Sequence, residues 1–199
     1  AKEYKYAKRV DIIPNYINNI KSHVEDYSVK KAIAVGRLEY QKGFDILIDC
    51  WKEISKRYPD WKLDIYGEGS CREELQRQIN SLQLVDKVKL CGRNNNIIDV
   101  YPLYSLHLMT SRYEGLPMTL IEAQACGLSS VVFDYQYGAS DIVSNGHNGL
   151  IIEQGNHKLF IEAAMKMMSF KELRREYGTN AISISKQYYR ENIINKWIQ

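Results

Sequence analysis

The sequence predicts an α/β fold: a doubly wound parallel sheet of the Rossmann-like type, with helices on both faces. Short apolar runs, several of them ending at a glycine, alternate with segments whose apolar residues recur at helical spacing. The connections between them are short, and right-handed strand–helix–strand units build a parallel sheet. A chain of 199 residues, of which 45% are hydrophobic, can also bury a core without disulfide support.

Six apolar runs are interpreted as strands. They span residues 31–36, 63–67, 88–92, 106–110, 130–133 and 149–152. Helices are predicted at 44–58, behind Ser70, at 97–104, at 117–126 and over much of the chain from Asn156 onwards. Ser70 and Glu73 have the spacing of a capping box. Pro117 and Gly127 bracket the fourth helix in the favoured order.

The first candidate site follows the first strand. In doubly wound sheets, ligands bind outside the carboxyl ends of the strands, here the segments 36–38, 67–69, 92–93 and 111–115. Arg37 and Lys42 flank a turn between Gly36 and Gly43, and Gly36 lets the backbone approach a ligand closely. Two fixed cations beside a helix N-terminus favour an anion such as a diphosphate. From spacing alone, the alternative is that both are ordinary surface cations.

The second candidate site is the segment 114–123, at the mouth of the fourth strand. Gly115 leaves the backbone free just before a helix whose first amides could bind phosphate or sugar hydroxyls. Glu114 precedes this helix and Glu122 lies on it, and two carboxylates near one cleft can share acid, base or hydroxyl-binding work. The alternative is that Glu122 only satisfies the helix dipole.

Missing motifs argue against several other functions. The segment 67–69 begins like a dinucleotide fingerprint, but Arg72 stands where the last glycine is needed, which argues against an NAD site. The chain has no phosphate-binding P-loop, no nucleophile elbow and no D-x-D pair, and its four histidines lack metal-ligand spacing. Neither a cofactor nor a metal is therefore expected. A formal charge of +3 with dispersed basic residues gives no argument for nucleic acid binding.

The cysteines and the hydropathy bear on the compartment. Cys50, Cys71, Cys91 and Cys126 form no C-x-x-C pair and are expected to be free thiols in a reducing compartment. No signal peptide opens the chain, and no apolar run is long enough to cross a bilayer. We therefore expect a soluble, cytoplasmic domain, with His107 packed in its core.

Taken together, the segments resemble the C-terminal domain of the family 4 retaining glycosyltransferases, which have the GT-B fold with two Rossmann-like halves. The resemblance covers nearly the whole chain, and its most telling part is the pair Glu114 and Glu122, with seven residues between them. Further matching segments are 13–15, 35–38, 42–43, 67–69, 115–117, 145–146 and 148–150. Tyr16, where the family often has Gly, and Asp141, where it often has Glu, depart from the pattern.

The resemblance implies a role for each position. Arg37 and Lys42 would grip the diphosphate and offset the charge on the leaving nucleotide, in place of a metal ion. Glu114 would face the donor sugar, and Glu122 would accept hydrogen bonds from the ribose hydroxyls. The remaining substrate-binding positions, which would contact base, phosphates and sugar largely through backbone, are Gly36, Gly67, Arg93, Gly115, Leu116, Pro117, Met118 and Thr119.

The resemblance also implies partners. The donor would be a nucleotide-diphosphate sugar, and the segment 133–138 is similar to a subgroup that builds bacterial surface polysaccharides from UDP-galactose-type donors. A UDP-sugar is therefore expected, with a saccharide or lipid-linked acceptor held by an N-terminal domain outside this chain. The full-length enzyme could associate peripherally with the membrane. The isolated domain is expected to have little or no transferase activity but could bind the nucleotide weakly.

Three regions are expected: an inter-domain lead-in at 1–20, the nucleotide-sugar-binding domain at 21–185, and a C-terminal helix at 186–199 that packs against the missing N-terminal domain. Ile193, Ile194 and Trp197 would then expose an apolar patch, unless the tail folds back on its own domain. Two rival functions stay open. One is a non-catalytic nucleotide-binding module; the other is a flavodoxin-like signalling or scaffold domain, which the basic cleft disfavours.

Overall fold

A computed structural model describes residues 13–135 and 138–198. Within these ranges the chain forms one six-stranded sheet in which every strand pairing is parallel. The strands are β1 (Lys31–Val35), β2 (Lys62–Tyr66), β3 (Val88–Gly92), β4 (Leu106–Met109), β5 (Ser130–Asp134) and β6 (Gly149–Glu153). Their order, β3-β2-β1-β4-β5-β6, is doubly wound and reverses between β1 and β4. The predicted fold class is confirmed.

Helices connect the strands and cover both faces of the sheet. Over the described ranges they are α1 (Phe44–Arg57), α2 (Arg72–Ser81), α3 (Met118–Ala125), α4 (Ala139–Ile142), α5 (His157–Ser169), α6 (Lys171–Ser185) and α7 (Arg190–Ile198). Short 3₁₀ turns lie at Tyr40–Lys42, Ile97–Asp99, Tyr101–Leu103 and Lys186–Tyr188. None of the described helices combines the length and the apolar character needed to cross a bilayer.

The central strands are buried on both faces, which explains why β1 reads as a continuous apolar run rather than an alternating one. Ala32 and Ala34 pack into the cluster formed with α1, α2 and α5. Ile33 points the other way, into the cluster that includes Ala123 of α3. The face of α1 predicted from helical spacing is the buried one, with Trp51 fully enclosed.

Two local predictions are wrong. The residues Ser70 and Glu73 do not form a capping box, because α2 begins only after Cys71 and no side chain caps it. The backbone N–H and hydroxyl of Ser70 instead donate to the carboxylate of Glu39, at 2.9 and 2.7 Å. The helix predicted at 97–104 is two separate 3₁₀ turns, and Pro102, which lacks a backbone N–H, lies in the second.

The chain end docks on the domain that carries it. Ile17 forms a parallel bridge with Tyr189, and its N–H donates to the carbonyl of Tyr188 at 2.9 Å. Ile193 is fully buried, whereas the side chain of Trp197 is 70% exposed. The inner face of α7 therefore belongs to this domain, and only its outer end presents an exposed aromatic side chain.

Candidate functional site

A cavity of about 450 Å³ lies at the carboxyl ends of β1, β2 and β3. It is lined by Val35, Gly36, Arg37, Tyr66, Gly67, Glu68, Arg93, Asn94 and Ile97. Four of the predicted site residues, two glycines and two arginines, thus share one cavity. Its position follows from the topology, because parallel strands open their carboxyl ends at the same edge beside the reversal point of the sheet.

Two glycines let the strand ends approach each other. Gly67 has a φ of 152°, and a Cβ there would lie 1.8 Å from the carbonyl oxygen of Gly36. A Cβ on Gly36 would in turn contact the aliphatic stem of Lys42, at 3.0 Å from its Cδ and Cε. Any side chain at Gly67 would therefore push the two loops apart. The stem of Lys42 lies directly over the end of β1.

Lys42 and Glu114 form an ion pair at this edge of the sheet. The Nζ of Lys42 lies 2.6 Å from Oε1 of Glu114, and the two side chains are only 12% and 6% exposed. The hydroxyl of Ser111 donates to the same Oε1 at 2.6 Å, and Nε2 of Gln41 donates to Oε2 at 3.3 Å. The sequence suggests separate roles for Lys42 and Glu114, and the structure shows the two side chains paired.

Arg37 contrasts with Lys42. Its side chain is exposed, and its one side-chain hydrogen bond over the described ranges is to Oε1 of Gln41, at 3.3 Å. No carboxylate of the described residues lies within ion-pair distance of its guanidinium. Arg93 is exposed on the opposite wall of the cavity. The cavity therefore carries cations that are available to an anionic ligand.

The start of α3 presents backbone rather than side chains. Pro117 is the N-cap and not N1 as predicted, and no side chain caps the helix. The amide of Leu120 donates to the carbonyl of Pro117 at 3.0 Å, so the amides left without an intrahelical partner in this turn are those of residues 118 and 119. The side chains of Leu116 and Met118 pack into the apolar cluster beneath. A Cβ on Gly115 would meet nothing within 4 Å. The space beside Gly115 is thus open, which fits close approach of a ligand to this backbone.

Thr119 and Tyr135 carry buried oxygen atoms without partners among the described residues. They are Oγ1 of Thr119, in the first turn of α3, and the hydroxyl of Tyr135. Burial, and after it the charge of Glu114, raises the pKa of Tyr135, so its ring lies near that carboxylate. Neither oxygen has a structural explanation within the described chain. Both border the loop that leads into α3.

Glu122 lies in the second turn of α3, not in the first, which contains no acidic residue. A helix-dipole role is therefore a poor explanation, because the dipole effect fades beyond the first turn. Burial raises the pKa of Glu122 to about 7, and its carboxylate has no hydrogen-bond or ion-pair partner among the described side chains. Burial raises the pKa of Tyr101, and the charge of Glu122 raises it further, so the two side chains are neighbours.

The apolar wall of the cavity connects α3 to the strand ends. Ala123 and Cys126 of α3 share one cluster with Val35, Tyr66 and Ile97, which line the cavity. The structure thus brings part of the predicted site together. Gly36, Arg37, Gly67 and Arg93 line the cavity, and Lys42 pairs with Glu114 beside the end of β1. The remaining predicted positions are not among the residues that line this cavity: Gly115, Leu116, Pro117, Met118, Thr119 and Glu122.

Sequence reasoning missed several residues here. Tyr66 forms a wall of the cavity, and its hydroxyl is within 3.1 Å of that of Tyr104, which donates to Asp64 at 2.6 Å. Tyr66 could have been identified from sequence, because it directly precedes Gly67 at the carboxyl end of a predicted strand, where ligands bind in such sheets. Asn94 and Ile97 lie in loop and 3₁₀ segments whose approach to the strand ends no local pattern indicates.

Over residues 13–135 and 138–198, no group of three or more His, Cys, Asp or Glu side chains could hold a metal ion. All four cysteines are free thiols, as predicted. His107 is buried in the core, also as predicted, and burial lowers its pKa to about 3.

The fold and the site define a doubly wound α/β domain with a cationic cleft at the carboxyl ends of its strands. Residues 16–184 match the family model described as glycosyl transferases group 1, and the chain belongs to this family. It is 33% identical over 190 residues to the amylovoran biosynthesis glycosyltransferase AmsD of Erwinia amylovora, covering 94% of this chain and 53% of AmsD.

Solved structures agree with this membership. A TarM variant from S. aureus, crystallised with fondaparinux, α-GlcNAc-glycerol and UDP, superposes with a TM-score of 0.92 at 26% identity, over 99% of this chain and 40% of that one. The pneumococcal O-GlcNAc transferase GtfA, in complex with UDP and GlcNAc, superposes with a TM-score of 0.85 at 25% identity, over 99% and 41%. The chain therefore spans about half of AmsD and about two-fifths of these two structures.

Proposed function

We propose that this chain is the donor-binding domain of a retaining glycosyltransferase and that it binds a nucleotide-diphosphate sugar. One set of observations supports the proposal: Arg37 lines the cavity at the strand ends, and Lys42 pairs with Glu114 in the loop that leads into α3, a helix that no side chain caps. Cations and helix N-termini bind phosphate well because the charges and the N–H groups are held in place before the ligand arrives.

The diphosphate would replace Glu114 as the main partner of Lys42. The buried ammonium of Lys42 is balanced by the carboxylate of Glu114 at 2.6 Å. A bound diphosphate lets Lys42 contact phosphate oxygens and frees Glu114 to accept hydrogen bonds from donor-sugar hydroxyls. Arg37, which has no carboxylate partner among the described residues, needs no such exchange.

The nucleoside would occupy the cavity itself. A volume of about 450 Å³ lies within the usual range for small-ligand sites. Tyr66, Arg93 and Ile97 would surround the base, and Glu122 would accept hydrogen bonds from the ribose hydroxyls. We propose UDP as the nucleotide, because the solved TarM and GtfA structures contain UDP.

In the proposed transfer, the bond between the anomeric carbon and the diphosphate oxygen breaks, and negative charge develops on the leaving diphosphate. Fixed positive groups stabilise that charge more in the transition state than in the ground state. Arg37, Lys42 and the α3 amides would do this work in place of a metal ion. Glu114 and the backbone at 115–119 would orient the sugar.

The complete enzyme would need a second domain to close the cleft and hold the acceptor. We propose a saccharide or lipid-linked acceptor and a role in bacterial surface polysaccharide synthesis, as the name of AmsD suggests for that relative. This chain would be the C-terminal half, inactive in transfer by itself. The exposed Trp197 is a candidate contact with the other half. The free thiols fit a reducing compartment such as the cytoplasm.

Thermal-shift screening of the chain against UDP, GDP, ADP and their sugar conjugates tests the proposal. UDP and UDP-sugars should raise the midpoint temperature of thermal unfolding, because a ligand that binds only the folded state stabilises it. Glu122→Ala should remove the part of this temperature shift that depends on the ribose. No shift at millimolar ligand would contradict the proposal. Tight UDP binding with no transferase activity in the full-length protein would instead favour a non-catalytic nucleotide-binding module.

A further inference from the structure

Arg112 connects two segments that carry site residues. Its Nη1 donates to the carbonyl oxygen of Tyr40 at 2.7 Å and to Oδ1 of Asp45 at 2.9 Å, and its Nη2 donates to Oδ2 of Asp45 at 2.6 Å. Its guanidinium carbon also lies 3.9 Å from the centre of the Tyr40 ring. One side chain therefore forms a bidentate ion pair, a backbone contact and a cation–π stack.

These contacts clamp the 3₁₀ turn that carries Lys42. Tyr40 begins that turn, and Asp45 lies in the first turn of α1 that follows it. The N–H of Arg112 also donates to the carbonyl of Gln41 at 2.8 Å. Glu114 stands two residues after Arg112 in the same loop. Arg112 thus fixes the turn that carries Lys42 against the loop that carries Glu114, through contacts other than the Lys42–Glu114 ion pair.

Arg112 also neutralises the charge of Asp45. Asp45 lies three residues after Lys42, in the first turn of α1, so the ion pair ties the start of this helix to the loop that carries Glu114. Burial would raise the pKa of Asp45, but the hydrogen bond and the charge of Arg112 outweigh it and lower that pKa. The Arg112 side chain is only 19% exposed, so the pair is partly shielded from solvent.

We propose that Arg112 is a positioning residue: it fixes the turn of Lys42 against the loop of Glu114, keeps the Lys42 ammonium where the diphosphate would bind, and so sets the affinity of the site for the diphosphate; this rests on the proposed function. Arg112 acts through Lys42 and needs no contact with the ligand. Over the described ranges its side chain bonds Tyr40 and Asp45, and neither of these lines the nucleoside cavity. Its loss should therefore weaken binding of the diphosphate and not of the nucleoside.

The experiment compares the affinities of UDP and uridine by NMR titration at one ionic strength. Arg112→Ala should weaken UDP binding about tenfold, the usual scale for losing charge-assisted contacts, and leave uridine binding within about twofold. Arg112→Lys keeps the charge without the planar fork, so it should fall between wild type and Arg112→Ala. Arg175→Ala, which removes an exposed arginine paired with Glu172 on α6, is the matched control and should change neither affinity.

A double-mutant cycle with Lys42→Ala tests the route of the effect. If Arg112 acts through Lys42, adding Arg112→Ala to Lys42→Ala should weaken UDP binding no further. A crystal structure of the Arg112→Ala variant measures the effect on Lys42 without any nucleotide. If that variant fails to fold, the Arg112→Lys variant takes its place. The Nζ–Oε1 distance between Lys42 and Glu114 should lengthen beyond hydrogen-bonding range.

Equal losses for UDP and uridine would indicate a merely structural role and overturn the inference, as would additive losses in the double variant or an unchanged Nζ–Oε1 distance. Absence of UDP binding by the wild type would instead overturn the proposed function. Wild-type binding that Lys42→Ala weakens and Arg112→Ala leaves intact would overturn this inference alone.

Discussion

Glu114 and Glu122 belong to the same short segment, yet their surroundings differ completely. Glu114 is almost fully enclosed and receives Lys42, Ser111 and Gln41 as partners. Glu122 is largely enclosed as well, but no partner among the described residues balances its charge, and burial raises its pKa to about 7. Identical carboxylates therefore differ in their surroundings: Glu114 has three side-chain partners, whereas burial without a partner raises the pKa of Glu122 toward neutrality.

The difference separates the cleft into two ends. At the proposed phosphate end, Lys42 is paired with Glu114 and must exchange this partner for the ligand. At the proposed ribose end, a carboxylate lacks its partners until hydroxyl donors supply them. Variants that change one end of the cleft and leave the other intact test whether the two ends differ in this way.

The largest effect is expected for Lys42→Ala. It leaves the Glu114 carboxylate enclosed without its cation, so the free energy of unfolding should fall by about 3 kcal/mol in urea titrations. The double variant Lys42→Ala with Glu114→Gln should recover part of that stability, because no buried charge is left unpaired, but it should not recover UDP affinity. Lys42→Ala with unchanged stability would show that the pair at 2.6 Å is not maintained in solution.

Glu122→Gln should act in the opposite direction on stability. Burial raises the pKa of Glu122 from the ordinary 4.5 to about 7, so folding favours its protonated form. The resulting stabilisation is complete below pH 4.5 and is lost as the pH rises through 7. At pH 8 Glu122→Gln should therefore unfold with a free energy higher than wild type by on the order of 2 kcal/mol, a gain that shrinks toward pH 5. A difference that does not change with pH would contradict the assignment.

Uridine affinity should depend on pH through the same group. Ribose hydroxyls donate better to an ionised carboxylate, so wild-type affinity should rise severalfold from pH 6 to pH 8. Uridine is the suitable ligand because it has no phosphate that titrates in this range. Glu122→Gln should bind more weakly and show a flat profile in the same titrations. A wild-type profile that is flat would separate Glu122 from the ribose.

The smallest stability change is expected for Gly115→Ala. Its new methyl group would enter open space, so the free energy of unfolding should stay within about 0.5 kcal/mol of wild type. UDP-sugar affinity should nevertheless fall, since the methyl group would occupy room proposed for the sugar. Gly138→Ala is the contrasting control, because Gly138 has a φ of 100° and its Cβ would lie 2.6 Å from the carbonyl oxygen of Gly115. That variant should be clearly destabilised.

The sequence predicts the helices and strands of this molecule better than the contacts between side chains that are distant in sequence. Periodicity locates β3 and the buried face of α1 because those signals are local. Ser70 shows how a long-range partner can override a local rule, since Glu39 takes the groups that a capping box would use. The candidate site residues could be found from sequence, because they follow predicted strands or begin a predicted helix. The ion pair between Lys42 and Glu114 could not, because 72 positions separate the two residues.

The most direct test of the two-ended cleft is a crystal structure of this chain with UDP. The account predicts diphosphate oxygens within about 3 Å of the side-chain nitrogens of Arg37 and Lys42, and ribose hydroxyls donating to Glu122. UDP bound on another face, or bound here with its ribose turned away from Glu122 while Lys42 still contacts only Glu114, would contradict it.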